Sequence, residues 1–298
     1  MRKIIYYLMF FALLSIVSCS EDGPDSESIF VDDTMERTQF DKWLDHYFIA
    51  PYNIKWEYRM LDAESDLGYF LVPADYLPSV KFAIAFKHVI LEGYDEVWGN
   101  TYNTKAYFPK YFYIVGNYAY NNNGTTVLGT AEAGIKISFY GVNNYVFDNI
   151  KIDDDYEDAI VRRFKTAHHE FTHSMHQQIP FSDDFRIISL TDYIEDDWNN
   201  KTLEDALDNG FITTYARKNA NEDFAELYSW YVTYSAAWWE ARVAQASDEG
   251  KAKINQKLSI LRTYMKNNWD LDLDEVRNIT LSRISELNSI DLTDIEIK

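Results

Sequence analysis

The segment AHHEFTHSMHQ, residues 167–177, contains four of the six histidines of the 298-residue chain. Within it, the run His169-Glu170-Phe171-Thr172-His173 places two imidazoles four residues apart, with a carboxylate next to the first. On an α-helix, residues with this spacing differ by about 40° in direction and about 6 Å along the axis, so both imidazoles can reach one metal ion. The pattern predicts His169 and His173 as metal ligands and Glu170 as a general base beside them.

The other two histidines of the segment suit the ion less well. His176 shares the face of His169 and His173, but it lies one turn further along and too far from an ion that those two hold. His168 points about 100° away, and we expect it to be solvated or to contact a metal ligand without binding the ion itself. The apolar residues lie opposite the histidines, which predicts a helix packed on the core with its histidines facing a cleft. A helix of ordinary surface histidines would show the same spacing.

A catalytic zinc site takes three protein ligands and keeps one position open. Glu222, 49 residues after His173 in NANEDFAELYSW (219–230), is the better candidate for the third. An asparagine cap followed by Glu222 and Asp223 also suits the ordinary first turn of a helix. Glu222 lies at the edge of a helical stripe of small residues that would let a neighbouring helix approach closely. Glu226, one turn on, could accept a hydrogen bond from the free nitrogen of a ligand histidine. The stripe consists of Ala225, Ser229, Val232 and Ala236.

These motifs resemble those of the gluzincin metallopeptidases, with two histidines and a base on one helix and a glutamate ligand on a later one. TYARKNANEDFAE (214–226) is similar to the second motif in the catalytic domain of anthrax lethal factor, in a match that covers about 30 residues with the first motif. The resemblance implies Tyr215 as the oxyanion stabiliser, Glu222 as the ligand and Glu226 as its companion. Over the mature chain, the sequence resembles the zinc-binding metallopeptidase lipoproteins of Bacteroidetes, also described as substrate import-associated zinc metallohydrolases. That resemblance implies a peptidase that binds Zn²⁺ at the outer membrane and works beside a nutrient importer.

The elements that must position these residues change in character along the chain. Between about residues 78 and 148, β-branched and aromatic residues dominate, notably in KYFYIVGN (110–117) and GIKISFYGV (134–142), which predicts a small mixed sheet. After residue 155 the pattern is helical, with helices predicted over 156–178, 221–245, 251–267 and 273–287. We therefore expect an α+β, zincin-like fold in which an active-site helix and a mostly helical C-terminal part follow the sheet. In zincins the strand before this helix pairs with extended substrate, and 134–142 is the candidate.

The N-terminus predicts export and lipid anchoring. Residues 1–18 have the basic start and short apolar run of a signal peptide, and the small residue before Cys19 is typical of a lipoprotein cleavage site. An ordinary signal peptide with an incidental cysteine is the alternative. Residues 19–35 would form the lipidated cysteine and an acidic tether, and 36–298 the metallopeptidase domain, sheet-rich over 36–150 and helical over 151–298. Removing Arg2 and Lys3 takes the formal charge from −20 to −22, which argues against binding nucleic acid.

Two further functions compete with a zinc peptidase. Trp230, Trp238 and Trp239 could form a carbohydrate platform, although aromatic residues on a long helix are usually core. The alternative to an enzyme is a surface glycan- or peptide-binding accessory lipoprotein with a non-catalytic metal site. Glu170 and Tyr215 argue against it, since a structural site needs neither a base nor an oxyanion donor. A zinc hydrolase that acts on another bond stays open, and the substrate is a peptide or protein if the peptidase prediction holds.

Overall fold

The structure is a computed structural model, and it describes most of the chain after residue 35. The predicted signal peptide (1–18), Cys19 and the acidic tether (19–35) lie outside the described residues. Thr38–Lys298 forms one compact unit. In the described part of the chain, no helix has the length and apolar character needed to cross a membrane. The described residues are 36–61, 64–66, 68–121, 125–132, 135–154 and 159–298.

A small mixed sheet forms the middle of the domain, as the sequence predicts. The strands of the domain are β1 (Lys55–Glu57), β2 (Tyr111–Ile114), β3 (Ala119–Tyr120), β4 (Thr126–Val127), β5 (Gly129–Glu132) and β6 (Lys136–Phe139). The order of strands in the sheet is β1-β2-β6-β5, with β1/β2 and β2/β6 parallel and β5/β6 antiparallel. A separate two-stranded hairpin pairs β3 with β4.

The prediction that the strand in 134–142 pairs with substrate is wrong, because of the position of this strand in the sheet. Strand β6, which lies within 134–142, is paired on both sides, by β2 and by β5, so its hydrogen-bonding edges are used. Strand β5 instead lies at the edge of the described sheet. An edge strand is the one that can add an extended peptide.

Helices occupy much of the region that the sequence predicts to be sheet-rich. Helix α1 (Gln39–Leu44) continues through a π-helical segment, Asp45–Ile49, and a last turn at Ala50–Tyr52. Helices α2 (Tyr76–Phe86) and α3 (Glu92–Trp98) are joined by a second π-helical segment, Lys87–Leu91, and α4 (Thr101–Tyr107) follows. The prediction of a sheet-rich 36–150 is therefore wrong in part, because α2, α3 and α4 precede β2.

Aromatic side chains pack helix α2 against the sheet. Phe82 packs edge to face on Phe139 at 5.1 Å between ring centroids, and Phe86 packs similarly on Phe112 at 5.0 Å. Phe112 and Phe139, on the adjacent strands β2 and β6, stack at 6.2 Å. All four side chains are fully buried. Each such aromatic pair adds about 0.5–1.5 kcal/mol beyond the area it buries.

The C-terminal half is helical, as predicted. The long helix that carries the histidines is α5, and its predicted apolar back is buried throughout, at Ile160, Phe164, Ala167, Phe171 and Met175. The remaining helices complete an α+β fold, which confirms the predicted fold class. They are α5 (Ile160–Gln178), α6 (Asp183–Ile188), α7 (Leu203–Asp208), α8 (Ala220–Thr233), α9 (Ala236–Ala244), α10 (Asp248–Trp269) and α11 (Leu273–Glu286).

The helix predicted over 221–245 is two helices. Helix α8 ends at Thr233, and Ser235 caps α9 by accepting a hydrogen bond from the Trp238 amide. Ser235 also donates from its backbone and its hydroxyl to Asp153, which holds the chain in the break. The small-residue stripe is correspondingly shorter than predicted, since Ala236 lies beyond the break and is exposed.

Candidate metal centre

Helices α5 and α8 bring three ligand-type atoms to one point. His169 and His173 on α5 approach with their Nε2 atoms 3.1 Å apart, and Glu222 Oε2 on α8 lies 3.2 Å from each of them. These three residues form the triad, the one group of histidine and acidic side chains among the described residues that could hold a metal ion. The three residues that the sequence singles out as ligands are therefore neighbours in space.

The spacing within the triad fits a tetrahedral ion. Zinc bonds to histidine nitrogen and carboxylate oxygen are about 2.0–2.1 Å long, so ligand atoms at tetrahedral angles lie about 3.3–3.4 Å apart. The three distances of 3.1–3.2 Å lie within a few tenths of an ångström of that value. Two imidazoles and one carboxylate are also the donor set of a catalytic zinc site with a fourth position open. The residues present fit the ion that the sequence predicts.

The N-cap of α8 fixes where Glu222 lies. The Asn219 side chain accepts hydrogen bonds from the amides of Asn221 and Glu222, at 2.9 and 3.1 Å. The cap satisfies amides that have no partner within the helix, and it holds Glu222 in the first turn. Helix α8 packs along α5, with Ala225 and Ser229 completely buried. The cap and this packing together place the Glu222 carboxylate beside His169 and His173.

Glu226 lies behind His169 at the centre of a hydrogen-bonding network. Its Oε1 is 2.9 Å from His169 Nδ1, off the line of a straight hydrogen bond, and it also accepts from Lys165. Its Oε2 accepts from the Thr213 hydroxyl and the Trp230 indole, each at 2.8 Å. The carboxylate thus accepts three hydrogen bonds, from Lys165, Thr213 and Trp230, and also lies close to His169 Nδ1. Glu226 is in place to orient His169 through its outer nitrogen, the arrangement predicted for it.

The two carboxylates set the protonation of the metal-free triad. Burial lowers the pKa of His169, but hydrogen bonds to Glu222 and Glu226 outweigh it and raise the pKa to about 9. Burial would raise the pKa of Glu222, but the two ligand histidines hold it well below the usual range. In Glu226, Lys165 and His169 overcome burial and likewise lower the pKa. At neutral pH His169 therefore carries a proton that an incoming ion must displace.

His176 has a role that the sequence analysis missed. Its Nε2 lies 2.8 Å from His173 Nδ1, so it contacts the outer nitrogen of a candidate ligand. Burial, aided by the nearby His173, lowers the pKa of His176 to about 4, which keeps it neutral and able to accept the His173 proton. The spacing of His173 and His176 could have predicted this contact, because residues three apart on a helix lie side by side.

His168 is neither solvated nor a support for the ligands, which corrects the expectation for it. It is buried on another side of α5, where its Nδ1 lies 2.9 Å from the Tyr94 hydroxyl. That hydroxyl also contacts the Tyr228 hydroxyl at 2.8 Å. Burial lowers the pKa of His168 to about 3, so the imidazole is neutral. His168 belongs to a polar cluster inside the core.

Glu170 and Tyr215 lie at a cavity of about 250 Å³ that opens beside the triad. Glu170 faces strand β5, because a Cβ placed at Gly129 would lie 4.0 Å from Glu170 Oε1. The same Cβ would lie only 2.7 Å from Thr166 Cγ2, so glycine lets the strand approach α5 this closely. Glu170 is thus a carboxylate at the junction of the edge strand and the triad.

Tyr215 stands on a 3-10 turn, Tyr215–Arg217, with its ring centroid 6.1 Å from that of His169. Burial and the charges of Glu222, Glu226 and Glu170 raise the pKa of its hydroxyl, which stays protonated and able to donate. Thr213 ties this turn to Glu226, since its hydroxyl accepts from the Ala216 amide while it donates to the carboxylate. No sequence pattern pointed to Thr213.

The tryptophans do not form an exposed platform. Trp230 and Trp239 are buried, and Trp230, Tyr234 and Trp238 stack on one another with centroids 4.6–5.0 Å apart. Other rings thus cover the stacked faces of Trp230 and Trp238. Trp198, which the sequence analysis did not single out, lines the cavity and packs edge to face on Tyr215 at 4.9 Å.

Comparison with known proteins assigns the family. Residues 33–274 match the family described as "Putative zinc-binding metallo-peptidase". The chain belongs to this family. A crystal structure described as "a putative zinc-binding metallo-peptidase" from Bacteroides caccae is 38% identical, with a TM-score of 0.73, over 90% of this chain and all of the other. None of the curated proteins matches the chain.

The family agrees with the chemistry of the triad. The family and the Bacteroides caccae protein are both described as zinc-binding, which confirms zinc as the predicted cofactor. The predicted class, a zinc metallohydrolase of peptidase type, is likewise supported by this zinc-binding metallopeptidase family, and a peptide or protein is the substrate that the family supports.

Proposed function

We propose that this metallopeptidase hydrolyses peptide bonds with a gluzincin-type site. His169, His173 and Glu222 would hold the zinc, with Glu170 as the base, Tyr215 as the oxyanion donor and Glu226 orienting His169. The observation that carries the proposal is the triangle of ligand atoms, 3.1–3.2 Å on each side, at a cavity that Glu170 and Tyr215 also line. A structural site would need neither an adjacent base nor a tyrosine hydroxyl donor.

Each residue has a separate part in the reaction. When bound, zinc supplies Lewis acidity that polarises the substrate carbonyl and makes water a nucleophile at neutral pH. Glu170 accepts the proton of the attacking water and passes it to the nitrogen that leaves as an amine. The Tyr215 hydroxyl donates a hydrogen bond to the carbonyl oxygen as negative charge develops there. The outer edge of β5 pairs with the extended substrate and holds it across the site.

The test combines metal analysis with peptide cleavage by residues 20–298. We expect one zinc per chain in the wild type and in Glu170→Gln, and much weaker retention in Glu222→Ala. Cleavage of a peptide library should fall at least 100-fold in Glu170→Gln, because general acid–base catalysis is typically worth that much or more. Full zinc retention in Glu222→Ala would reject the third ligand. Zinc binding without any cleavage would favour the accessory binding protein or a different zinc hydrolase.

The same proposal includes lipid anchoring at the outer membrane and work beside a nutrient importer. The apolar run before Cys19 supports the anchor, and the resemblance to the Bacteroidetes metallopeptidase lipoproteins supports the outer membrane and the importer. Two acyl chains on one cysteine give stable attachment where one gives only marginal binding. In the producing bacterium, Cys19→Ser should move the protein from the membrane fraction to the soluble fraction. Unchanged fractionation would reject the anchor, and co-purification of the wild type with an importer would support the association.

A further inference from the structure

The turn that carries Tyr215 is connected to the triad by a chain of short polar contacts. His169 Nδ1 lies 2.9 Å from Glu226 Oε1, and Glu226 Oε2 accepts a hydrogen bond of 2.8 Å from the Thr213 hydroxyl. That hydroxyl in turn accepts a hydrogen bond of 3.1 Å from the Ala216 amide. Because Ala216 directly follows Tyr215, these contacts join a candidate zinc ligand to the residue proposed as the oxyanion donor.

The Thr213 hydroxyl makes both of its contacts in the interior. Thr213 is 8% exposed, and both hydrogen bonds are buried. A hydroxyl has one proton, and since this proton goes to Glu226, the lone pairs of the oxygen remain to accept from Ala216. The first amides of a helical turn have no partner within the turn. Thr214, just before the turn, supplies no side-chain cap, so Thr213 satisfies the Ala216 amide instead.

Glu226 gives Thr213 a fixed partner. The carboxylate also accepts hydrogen bonds from Lys165 on α5 and from the Trp230 indole on α8. Glu226 itself is 2% exposed and lies one turn after Glu222 on α8. It cannot follow a movement of the Tyr215 turn without losing these contacts, so Thr213 holds the turn to a rigid part of the site.

Other contacts hold the far end of the turn more firmly than the end at Tyr215. The Arg217 carbonyl accepts a hydrogen bond of 2.8 Å from the Ile194 amide. At the near end, the Tyr215 ring packs edge to face on Trp198, which is half-buried. Such a ring contact is less directional than a hydrogen bond and tolerates sliding. The Thr213 hydroxyl therefore provides the directional contact at the Tyr215 end.

We propose that Thr213 is a positioning residue whose hydroxyl sets where the Tyr215 hydroxyl lies relative to the triad, an inference that rests on the oxyanion role proposed for Tyr215. A donor stabilises the developing charge only if it points at the place where the charged oxygen will lie. A misplacement of about 1 Å can cost about 100-fold in rate. Loss of the Thr213 hydroxyl would release the Ala216 amide and allow Tyr215 to move by such an amount.

The test compares the binding of two inhibitors to the zinc-loaded protein, so it does not depend on turnover. A peptide phosphonamidate carries a charged oxygen that can accept from Tyr215, whereas a peptide thiol with the same side chains binds zinc through sulfur and has no such oxygen. We expect Thr213→Val to weaken binding of the phosphonamidate by at least about tenfold and of the thiol by less than about threefold. Thr213→Ser keeps the hydroxyl and should bind both compounds like the wild type.

A double-variant cycle shows whether Thr213 acts through Tyr215. Tyr215→Phe should reduce the preference for the phosphonamidate, and adding Thr213→Val to it should reduce the preference no further. The control is Thr280→Val, which makes the same substitution at another buried threonine, on α11, and should keep the preference. Thermal unfolding shows whether each variant folds, and Thr213→Ala, which also lacks the hydroxyl, replaces Thr213→Val if the latter does not.

The outcomes separate this proposal from the proposed function. Equal weakening of both compounds in Thr213→Val would mean that Thr213 supports zinc binding through Glu226, and it overturns the proposal. A further loss of preference when Thr213→Val is added to Tyr215→Phe overturns it as well. If Tyr215→Phe loses the preference and Thr213→Val keeps it, only the role of Thr213 is rejected. If Tyr215→Phe keeps the preference, the oxyanion role of Tyr215 is rejected and the role of Thr213 with it.

Discussion

The two histidines of the triad differ in what lies behind them. His169 has a carboxylate at its outer nitrogen, and Lys165 balances the charge of that carboxylate. His173 has the neutral imidazole of His176. A neutral histidine that binds a metal ion through Nε2 carries its proton on Nδ1. A fixed hydrogen-bond acceptor beside Nδ1 therefore sets both the tautomer and the orientation of the imidazole ring.

Loss of the acceptor at residue 176 should therefore weaken zinc binding. We expect His176→Leu to lower zinc affinity by about 10–100-fold, and His176→Gln, which keeps a polar acceptor of similar length, to lower it less. Affinity is measured by competition with a chromophoric chelator, and thermal unfolding of the metal-free variants shows whether they fold. His46→Leu, at an exposed position, is the control. Wild-type affinity in a folded His176→Leu would contradict the role.

His168 should make stability depend on pH. Its pKa of about 3 in the folded protein lies below the unfolded value of about 6.5, so only the unfolded chain takes up this proton between those values. The contribution is present in full above pH 6.5 and falls by about 1.4 kcal/mol per pH unit as the pH drops through this window. Urea unfolding of metal-free protein at pH 7 and pH 5 should show a smaller loss in His168→Gln than in the wild type or in His46→Gln. Equal losses in all three would reject the assignment.

At the scale of elements, a buried ion pair anchors the helix that carries Glu222. Asp223 on α8 and Lys257 on α10 lie 2.7 Å apart, and both are almost completely inaccessible to solvent. Tyr193 donates to Asp223, and Lys257 donates to the Gly210 carbonyl. Burial raises the pKa of Asp223 and lowers that of Lys257, so each charge depends on the other. The pair fixes the first turn of α8, where Glu222 lies.

Breaking this pair on one side should destabilise the domain. Lys257→Met leaves a buried carboxylate without its counter-charge, and such changes cost about 3–5 kcal/mol. The double variant Asp223→Asn with Lys257→Met removes both charges and should recover part of that loss. Urea unfolding of the metal-free proteins measures both. A loss below about 1 kcal/mol in Lys257→Met would show that the pair does not hold α8.

The sequence predicts an element well when only one kind of structure explains its residue pattern. The spacing of His169 and His173, with an apolar back, leaves few structures other than a helix over a core. Helix α2 was missed because it is buried nearly all round, at Val80 and Phe82–Phe86, so no polar face reveals its period. The break at Ser235 was missed because its cap is shared with Asp153, which is distant in sequence.

The residues of the site likewise include some that local sequence patterns predict and others that they do not. The close approach of Glu222 to a neighbouring helix followed from a local signal, the run of small residues, which the structure buries at Ala225 and Ser229. Thr213 and Trp198 reach the site from segments whose fold no local pattern specifies. The pairing of β5 rather than a substrate with β6 likewise depends on the register of the whole sheet.

At the scale of the whole molecule, zinc would join two parts of the chain that are distant in sequence. The ligands lie on α5 and α8, with 48 residues between His173 and Glu222. In the unfolded chain these groups are dispersed, so the ion binds the native state far more tightly. Binding then stabilises the fold by an amount set by the ratio of free zinc to the dissociation constant.

This linkage predicts a zinc-dependent melting temperature. At free zinc 100-fold above the dissociation constant, the stabilisation is about 2.7 kcal/mol. At about 2–4 °C per kcal/mol for a domain of this size, the melting temperature should rise by about 5–10 °C over protein stripped with chelator. Calorimetry at several buffered zinc concentrations measures the rise, which should increase with the logarithm of free zinc. Glu170→Gln should follow the wild type and Glu222→Ala should show almost no shift, because only the second variant loses a ligand. An equal shift in Glu222→Ala would mean that the stabilising ion binds elsewhere on this acidic protein.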